Sequence, residues 1–244
     1  MVTNIGGRDI MLVKIDLHTH SIYSIHWLWK NEAFGTPKEM VKMAIQKGLN
    51  GLSITDHNSV KGSLEGLKYA KKLKNFLLVP GSEVKSEEGD ILAIGIKEDV
   101  PKELPVQETI DRIHDLGGIA IAAHPYAGFP RRSAVKDAIK KYRFDAVEIL
   151  NGGTRWRDNK RAYEVAKELK YPMTGGSDAH YWKDIGEIYN VINCSLSVDD
   201  VLEAIKKGRV IIKGRPFGLY SKMRLATRKV LRSIESRIGK GGTQ

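Results

Sequence analysis

Short apolar segments alternate with helical segments along most of this 244-residue chain, and this alternation constrains its fold more than any other feature. The apolar segments have the length of buried strands, and the helical segments repeat apolar residues every three or four positions. We predict strands at residues 11–17, 51–55, 76–79, 91–96, 119–123, 146–150, 173–175, 188–193 and 210–212. We predict helices at residues 37–47, 61–74, 106–116, 134–141, 159–169 and 198–207.

Residues typical of helix ends mark several of these boundaries. Thr36 and Ser197 stand where helix N-caps are expected, and Gly48, Gly117 and Gly208 stand where helices would stop. Helices that alternate with strands usually connect parallel strands. The pattern therefore predicts an α/β fold, either a barrel or a doubly wound parallel sheet.

One segment departs from the alternation. Residues 82–96 contain no helical pattern and are predicted to form a hairpin that turns at residues 87–89. The length suits one large domain, which we place at residues 1–218.

The last 26 residues, 219–244, differ in composition from the rest. They contain seven Lys or Arg residues and one Glu, a net charge of +6. Their apolar residues recur at helical spacing, which predicts a basic amphipathic C-terminal helix. Two interpretations stay open: a terminal helix docked on the barrel with a solvated basic face, or an arm that binds nucleic acid or a membrane surface.

Composition limits the class of protein. The formal charge is 40 − 29 = +11, which favours an anionic partner such as a phosphorylated metabolite, a nucleic acid or an acidic membrane surface. The one cysteine, Cys194, excludes an intrachain disulfide and a Cys-rich zinc module. No stretch approaches 18 consecutive apolar residues, and the N-terminus lacks the pattern of a signal peptide. We expect a cytoplasmic protein without a transmembrane segment.

Histidines and carboxylates gather at the predicted strand ends. His18 and His20 close the first strand, and residues two apart in a strand point to the same side, as does Asp16. Five further strands carry such residues at or near their C-terminal ends, namely His57, Glu83, His124, Glu148, and Asp178 with His180. Active sites of α/β folds are built at these ends. A metal site is favoured over paired core histidines, because the latter would require six coincidences.

The ligand types narrow the metal. Imidazole and carboxylate without thiolate suit Zn, Mn or Fe(II). The candidates outnumber the four ligands that one zinc needs, which predicts two or three ions. Such sites suit phosphoester hydrolysis, because the ions activate a bound water and clamp the attacking and leaving oxygens.

The same residues resemble the motifs of the PHP (polymerase and histidinol phosphatase) superfamily. The matching segments follow the family's order and are Asp16-Leu17-His18-Thr19-His20-Ser21 with Tyr23-Ser24, Ile54-Thr55-Asp56-His57-Asn58, Gly81-Ser82-Glu83, Ala123-His124-Pro125, Val147-Glu148-Ile149-Leu150-Asn151 and Gly176-Ser177-Asp178-Ala179-His180. The resemblance implies a distorted (β/α)7 TIM-like barrel with metals at the C-terminal ends of its strands.

The resemblance also implies roles. One ion would be bound by His18 and His20 with Asp178, and Glu83 would bridge two ions. A further ion would be served by His57 and His180, and another by His124. The supporting groups around the metal-activated water would be Asp16 and Glu148.

Two positions depart from the commoner family pattern. His26 stands six residues beyond the second motif histidine, where some members have a metal ligand, and we predict it to be a ligand here; the alternative is a loop histidine. Asp90 stands where many members have a histidine, and we predict it to be a ligand because Asp can bind the same ions. The change from histidine could weaken one metal position or change the metal preference. His114 lies in a predicted helix and is interpreted as structural.

Substrate binding is predicted in the loops at the metal end. Arg131 with Arg132, and Arg155 with Arg157, could hold a phosphate through their forked guanidinium groups, or be solvated surface residues. Tryptophans in these loops could stack on a base or a sugar, or cap the mouth of the barrel. The sequence predicts a hydrolase of a phosphorylated metabolite or nucleotide. A nuclease acting on short nucleic acid ends and a non-catalytic PHP module are the alternatives.

Overall fold

The computed structural model describes residues 3–5, 8–25, 32–128, 134–218, 223, 225–228 and 230. Its strands are β1 Thr3–Ile5, β2 Arg8–Asp16, β3 Gly51–Ile54, β4 Leu77–Lys85, β5 Asp90–Ile94, β6 Ile119–Ala122, β7 Ala146–Asn151, β8 Met173–Gly176, β9 Ile188–Ser195 and β10 Val210–Gly214. Its α-helices are α1 Pro37–Gln46, α2 Lys61–Ala70, α3 Val106–Asp115, α4 Trp156–Glu168 and α5 Val198–Lys206. Two short 3-10 helices span Lys136–Lys140 and Trp182–Asp184.

The strands form one sheet that curls into a nearly closed barrel. Their order is β10-β9-β2-β3-β4-β5-β6-β7-β8, and β1 pairs with β2. The remaining gap between β8 and β9 is bridged by the buried side chain of Asn190. Its amide donates to the carbonyl of Gly175 at 2.6 Å, and its Oδ1 accepts from the Gly175 N–H at 2.9 Å. The hydrogen bonds of this side chain thus take the place of backbone pairing between β8 and β9. The nearly closed sheet confirms the α/β barrel.

The sheet is mixed rather than uniformly parallel. Four pairs are parallel: β2 with β3, β3 with β4, β6 with β7, and β7 with β8. The predicted hairpin over residues 82–96 is confirmed, since β4 and β5 are antiparallel. Its consequence for β6 was not predicted: β5 has reversed direction, so β6 pairs antiparallel with it. The pairs of β9 with β2 and β10 are antiparallel as well.

Local signals explain the helix boundaries. Thr36 caps α1 and forms a reciprocal capping box with Glu39, and Ser197 caps α5 through the Asp200 N–H. The helix stops predicted at Gly48 and Gly208 are confirmed by backbone φ angles of +74° and +66°, which glycine adopts without strain.

The helix predicted at residues 134–141 was wrong. That segment forms only the 3-10 helix Lys136–Lys140. Lys136 enters it with a left-handed φ of +47°, and its N–H donates to the Pro125 carbonyl at 2.7 Å. The chain thus turns sharply where an α-helix would have to begin, and one tight turn suffices to bury Ala138 and Ile139.

The apolar core lies below and around the candidate site. Val13 and Ile15 are buried along β2, Leu17 is buried just beyond its end, and all three pack in one cluster with Val201 and Ile205 of α5. Leu12 and Lys14, which alternate with them, are exposed, whereas Asp16 at the end of the strand is buried. This anchoring of β2 fixes the position at which residues 18 and 20 emerge.

The described part of the C-terminal segment is helical at residues 223, 225–228 and 230. Met223 and Val230 are exposed there. The division at residue 218 stays a prediction. Within the described ranges, no helix has the length and apolar character needed to cross a bilayer.

Candidate metal centre

The predicted ligands converge at the C-terminal ends of the barrel strands. The chain beyond β2 pairs through Thr19 with Ala179, and His57 pairs with Glu83, so separate segments meet in one cluster. The Nε2 atoms of His18 and His20 lie 3.2 Å apart. Glu83 Oε2 lies 3.4 and 3.3 Å from these two atoms, and Asp178 Oδ1 lies 3.7 and 3.3 Å from them.

This spacing fits a divalent ion. A tetrahedral ion with bonds of about 2.0–2.1 Å holds its ligand atoms about 3.3–3.4 Å apart. The five distances among these imidazole and carboxylate atoms span 3.2–3.7 Å. Two imidazole nitrogens and two carboxylate oxygens are also the donor types that Zn, Mn and Fe(II) accept.

Glu83 connects this group to a second one. Its Oε1 lies 2.9 Å from His124 Nε2, while its Oε2 faces His18 and His20. His18, Glu83 and His124 are one of three sets whose candidate ligand atoms lie within 4.8 Å of one another in the described part of the chain. The two oxygens of Glu83 therefore face different ligand sets, which is the arrangement required of a bridging carboxylate.

A third set consists of His20, His57 and His180. The ring centroid of His20 lies 4.7 Å from that of His57 and 4.3 Å from that of His180. The buried carboxylate of Glu32 lies beside this set, 3.0 Å from His57 Nε2. Glu32 was not predicted from the sequence, because it follows no strand and belongs to no matched motif.

Two candidate ligands have unusual backbone conformations. The φ angles are +28° at His124 and +54° at Asp178, and such angles cost a non-glycine residue about 1–3 kcal/mol. Short hydrogen bonds hold both: the His124 N–H donates to Glu148 Oε2 at 2.8 Å, and the Asp178 N–H donates to the His18 carbonyl at 2.7 Å. The surrounding structure imposes the strain, as is common at functional sites.

Glu148 and Asp16 contact groups that hold the candidate ligands in place. Glu148 Oε1 lies 3.0 Å from His18 Nδ1, and its Oε2 also accepts from Asn151 Nδ2 at 3.1 Å. Asp16 accepts the N–H groups of Ser177 at 3.0 Å and Gly186 at 2.9 Å. Each carboxylate thus ties together segments that carry candidate ligands.

Electrostatics within the cluster follow from burial and from unlike charges. Burial lowers the pKa of His18, but the carboxylates of Glu148, Asp178 and Glu83 outweigh it and raise that pKa well above 6.5. Burial raises the pKa of Glu83, but neighbouring histidines outweigh it and hold that pKa well below 4.5. The Glu83 carboxylate therefore stays ionised in a buried site, where a cation is the matching ligand.

The pKa values of one histidine and one aspartate shift differently. Burial and the nearby His20 lower the pKa of His180 to about 4, so its imidazole is neutral at neutral pH, which is the form that binds metal. Burial raises the pKa of Asp16 to about 6, although hydrogen bonds from Ser177, Gly186 and His18 oppose it.

Some predicted residues are placed elsewhere. Asp90 is buried at the start of β5, but it belongs to none of the three sets found among the described residues. Arg155 precedes α4, and Arg157 lies in its first turn with its guanidinium 3.8 Å from Asp158; both are exposed. His114 pairs with Asp145 at 2.7 Å on α3, in accord with a structural role.

Other predicted residues fall outside the described ranges. These are His26, Arg131 and Arg132, together with the tryptophans at 27 and 29. Two more tryptophans were predicted in the loops at the metal end, and both lie within the described ranges. Trp156 is exposed, and Trp182 packs against Gly35.

Comparisons with known proteins extend the structural findings. A family model described as PHP-associated matches residues 156–210. The chain is 39% identical over 143 residues to MJ1587, an uncharacterized protein of Methanocaldococcus jannaschii, and the match covers 57% of this chain and 82% of that protein. A protein of Caldicellulosiruptor bescii named "probable phosphatase" is 29% identical over 212 residues, which covers 72% of this chain and 83% of that protein.

Solved structures share the fold. A two-domain protein from Bacteroides vulgatus, described as containing a predicted PHP-like metal-dependent phosphoesterase, matches with a TM-score of 0.68 and 19% identity, covering 94% of this chain and 72% of that one. The lesion-specific endonuclease EndoQ from Pyrococcus furiosus matches with a TM-score of 0.60 and 21% identity, covering 83% of this chain and 58% of that one. At these identities the likeness is one of fold.

Proposed function

Since the chain belongs to the PHP superfamily, we propose that it is a metal-dependent hydrolase of a phosphate mono- or diester. The observation that carries this proposal is the set of four ligand atoms from His18, His20, Glu83 and Asp178 at ion-compatible spacing. The proposed substrate is a small phosphorylated metabolite or a nucleotide. The proposed cofactors are two or three divalent ions of Zn, Mn or Fe.

Different residues are proposed to hold each ion. In this proposal, His18, His20 and Asp178 would hold one ion, Glu83 would serve this ion and a second one beside His124, and His57 and His180 would serve a further ion. Bound divalent ions lower the pKa of water to roughly 7 and offset charge on the phosphoryl oxygens. The protein then needs no side-chain nucleophile, and its task is to hold ligands rigidly in a site shielded from solvent.

Glu148 and Asp16 act as positioning residues. Glu148 accepts the Nδ1–H of His18, so the Nε2 lone pair of that ring faces the ligand cluster. Asp16 ties the end of β2 to the N–H of Ser177, next to Asp178. Both residues thereby fix the angle at which ligands from separate strands meet.

Arg155 and Arg157 are proposed to hold a substrate phosphate, because they follow β7 at its metal end and are exposed. A cytoplasmic location and a role for Asp90, His26, Arg131 and Arg132 are further proposals from the sequence.

The test is hydrolysis of an aryl phosphate monoester and an aryl phosphate diester after metal removal and reloading with Mn²⁺ or Zn²⁺. We expect turnover that disappears with chelator and returns with metal. Activity on one ester type identifies the substrate class. Absence of turnover with every metal, in protein that binds the ions, would contradict the proposal and support the non-catalytic PHP module.

A nuclease is the second candidate, and the course of the C-terminal segment favours it. The Phe217 N–H donates to the Gly152 carbonyl at 2.9 Å, so the chain passes over the loop after β7. The Arg228 guanidinium then lies 4.5 Å from the ring centroid of Tyr181, the neighbour of His180. Arg228, one basic residue of this segment, thus lies at the metal end of the barrel, and the fold is shared with an endonuclease.

Salt and truncation distinguish the two candidates. A nuclease that contacts several phosphates should lose affinity steeply as salt rises, whereas a one-phosphate metabolite should lose little. Deletion of residues 219–244 should leave hydrolysis of a small ester largely intact. If the nuclease assignment holds, the same deletion should raise the KM for an oligonucleotide and flatten its salt dependence.

A further inference from the structure

Glu32 is a buried carboxylate for which the family motifs provide no role. It lies between the first motif and α1, with 4% of its surface exposed. Its Oε1 lies 3.0 Å from His57 Nε2, and its Oε2 lies 3.6 Å from His180 Nε2. The two imidazoles come from different strand ends, yet each directs its Nε2 atom at this one carboxylate.

We propose that Glu32 is a ligand of the ion served by His57 and His180, so that this ion has a carboxylate ligand from a segment outside the family motifs. This inference rests on the proposed function only in assuming that the cluster binds divalent ions. It concerns which side chain completes one of the ion sites.

The other ring nitrogens support this orientation. His180 Nδ1 lies 3.1 Å from the backbone carbonyl of Asp178, which can only accept a hydrogen bond. The proton of His180 therefore belongs on Nδ1, and its Nε2 presents a lone pair toward Glu32. His57 Nδ1 lies 3.1 Å from Glu83 Oε2. This second contact places His57 between the bridging carboxylate and Glu32.

Ser24 fixes the Glu32 carboxylate and links it to the first ligand group. The Ser24 hydroxyl accepts the backbone N–H of His57 at 3.2 Å and faces His20 Nδ1 at 3.1 Å. Its own hydrogen is donated to Glu32 Oε1 at 3.2 Å. A hydroxyl has one donor and two acceptor sites, so these three bonds saturate it. His20 must then carry its proton on Nδ1, which leaves its Nε2 lone pair for the ion that it shares with His18.

A carboxylate changes the chemistry of this site. A set of imidazole ligands alone carries no charge and suits Zn, Cu or Ni. A set that also includes a carboxylate carries a negative charge and binds Mn or Fe(II) better than the imidazoles alone would. The competing interpretation is that Glu32 only pairs with protonated His57. That pairing stabilises the fold, but the number of bound ions would not depend on Glu32 once His57 binds a metal.

The experiment counts bound Mn²⁺ in Glu32→Gln, which preserves side-chain size. Chelator-treated full-length protein is titrated with Mn²⁺, and free Mn²⁺ is followed by its electron paramagnetic resonance signal. We expect Glu32→Gln to lose one equivalent or bind it at least tenfold more weakly. His57→Gln should lose the same equivalent, and the double variant should lose no more. Glu98→Gln, at an exposed carboxylate, is the matched control.

The outcomes separate the two proposals. Wild-type stoichiometry and affinity in Glu32→Gln would overturn the role of Glu32 and leave the hydrolase proposal intact. A wild-type protein that binds no Mn²⁺ or Zn²⁺ would overturn both. If Glu32→Gln does not fold, Glu32→Asp serves instead: its shorter carboxylate keeps the charge but retracts from the two Nε2 atoms. The same single equivalent should then weaken, and unchanged binding would refute the assignment.

Discussion

The substitution Glu148→Gln tests how the cluster is oriented. Glu148 Oε2 accepts two donors, the His124 N–H at 2.8 Å and Asn151 Nδ2 at 3.1 Å, so a glutamine oxygen should remain there. The glutamine NH2 would then face His18 Nδ1, which lies 3.0 Å from Oε1 in the native protein. His18 would have to accept that bond and carry its proton on Nε2. That atom faces His20, Glu83 and Asp178, so the proton would occupy the ligand position.

The expected loss can be worked from this geometry. Glu148 is buried, so water cannot repair the mismatch, and a buried unsatisfied polar group costs about 1–3 kcal/mol. Loss of the partner that orients a metal-binding histidine typically reduces affinity by about 10–100-fold, or about 1.4–2.7 kcal/mol. The two ranges agree, and we expect a loss of that size in the affinity for the ion that His18 is proposed to bind.

The assay is a competition titration of Zn²⁺ or Mn²⁺ between the protein and a chelator of known affinity. Glu98→Gln controls for charge removal at an exposed site. Affinity of Glu148→Gln within twofold of the wild-type value would refute the reasoning.

Three further predictions follow from the same structure. Asp178→Ala should abolish ester hydrolysis while far-ultraviolet circular dichroism stays native; full activity would contradict the site assignment. Gly176→Ala should destabilise the fold by about 1–3 kcal/mol in urea unfolding, because its Cβ would lie 2.7 Å from Glu148 Oε1, whereas Gly218→Ala, with open space around it, should change little. Burial raises the pKa of Cys194 to about 11, so at pH 8 a thiol reagent should react roughly 100-fold more slowly with folded than with unfolded protein; equal rates would show an accessible thiol.

The sequence predicted those parts of the fold that depend on local signals. Capping at Thr36 and the hairpin between β4 and β5 follow from residue types within a few positions of each other. The closure of the barrel does not, because it depends on Asn190 bridging two strands that are not adjacent through backbone ladders. A buried asparagine in an apolar strand is the sequence signal that was available for it.

The residues of the candidate site also divide into those that local sequence signals predict and those that they do not. His18, His20, Glu83 and Asp178 could be predicted because strand ends and motifs place them. Glu32 could not, since its position depends on how the chain between residues 25 and 36 returns to the cluster. The roles of Glu148 and Asp16 were assigned in general terms, but only the structure shows which atoms each carboxylate contacts. Local sequence patterns do not predict the direction of side chains in irregular segments.

The central claim is that the buried cluster is a metal centre that supports phosphoester hydrolysis. The most direct measurement is elemental analysis of the purified protein, paired with hydrolysis of an aryl phosphate before and after chelation. If the cluster is such a metal centre, we expect two or three divalent ions per chain and turnover that falls and recovers with them. Protein that retains no Zn, Mn or Fe after reconstitution, and shows no turnover, would contradict it.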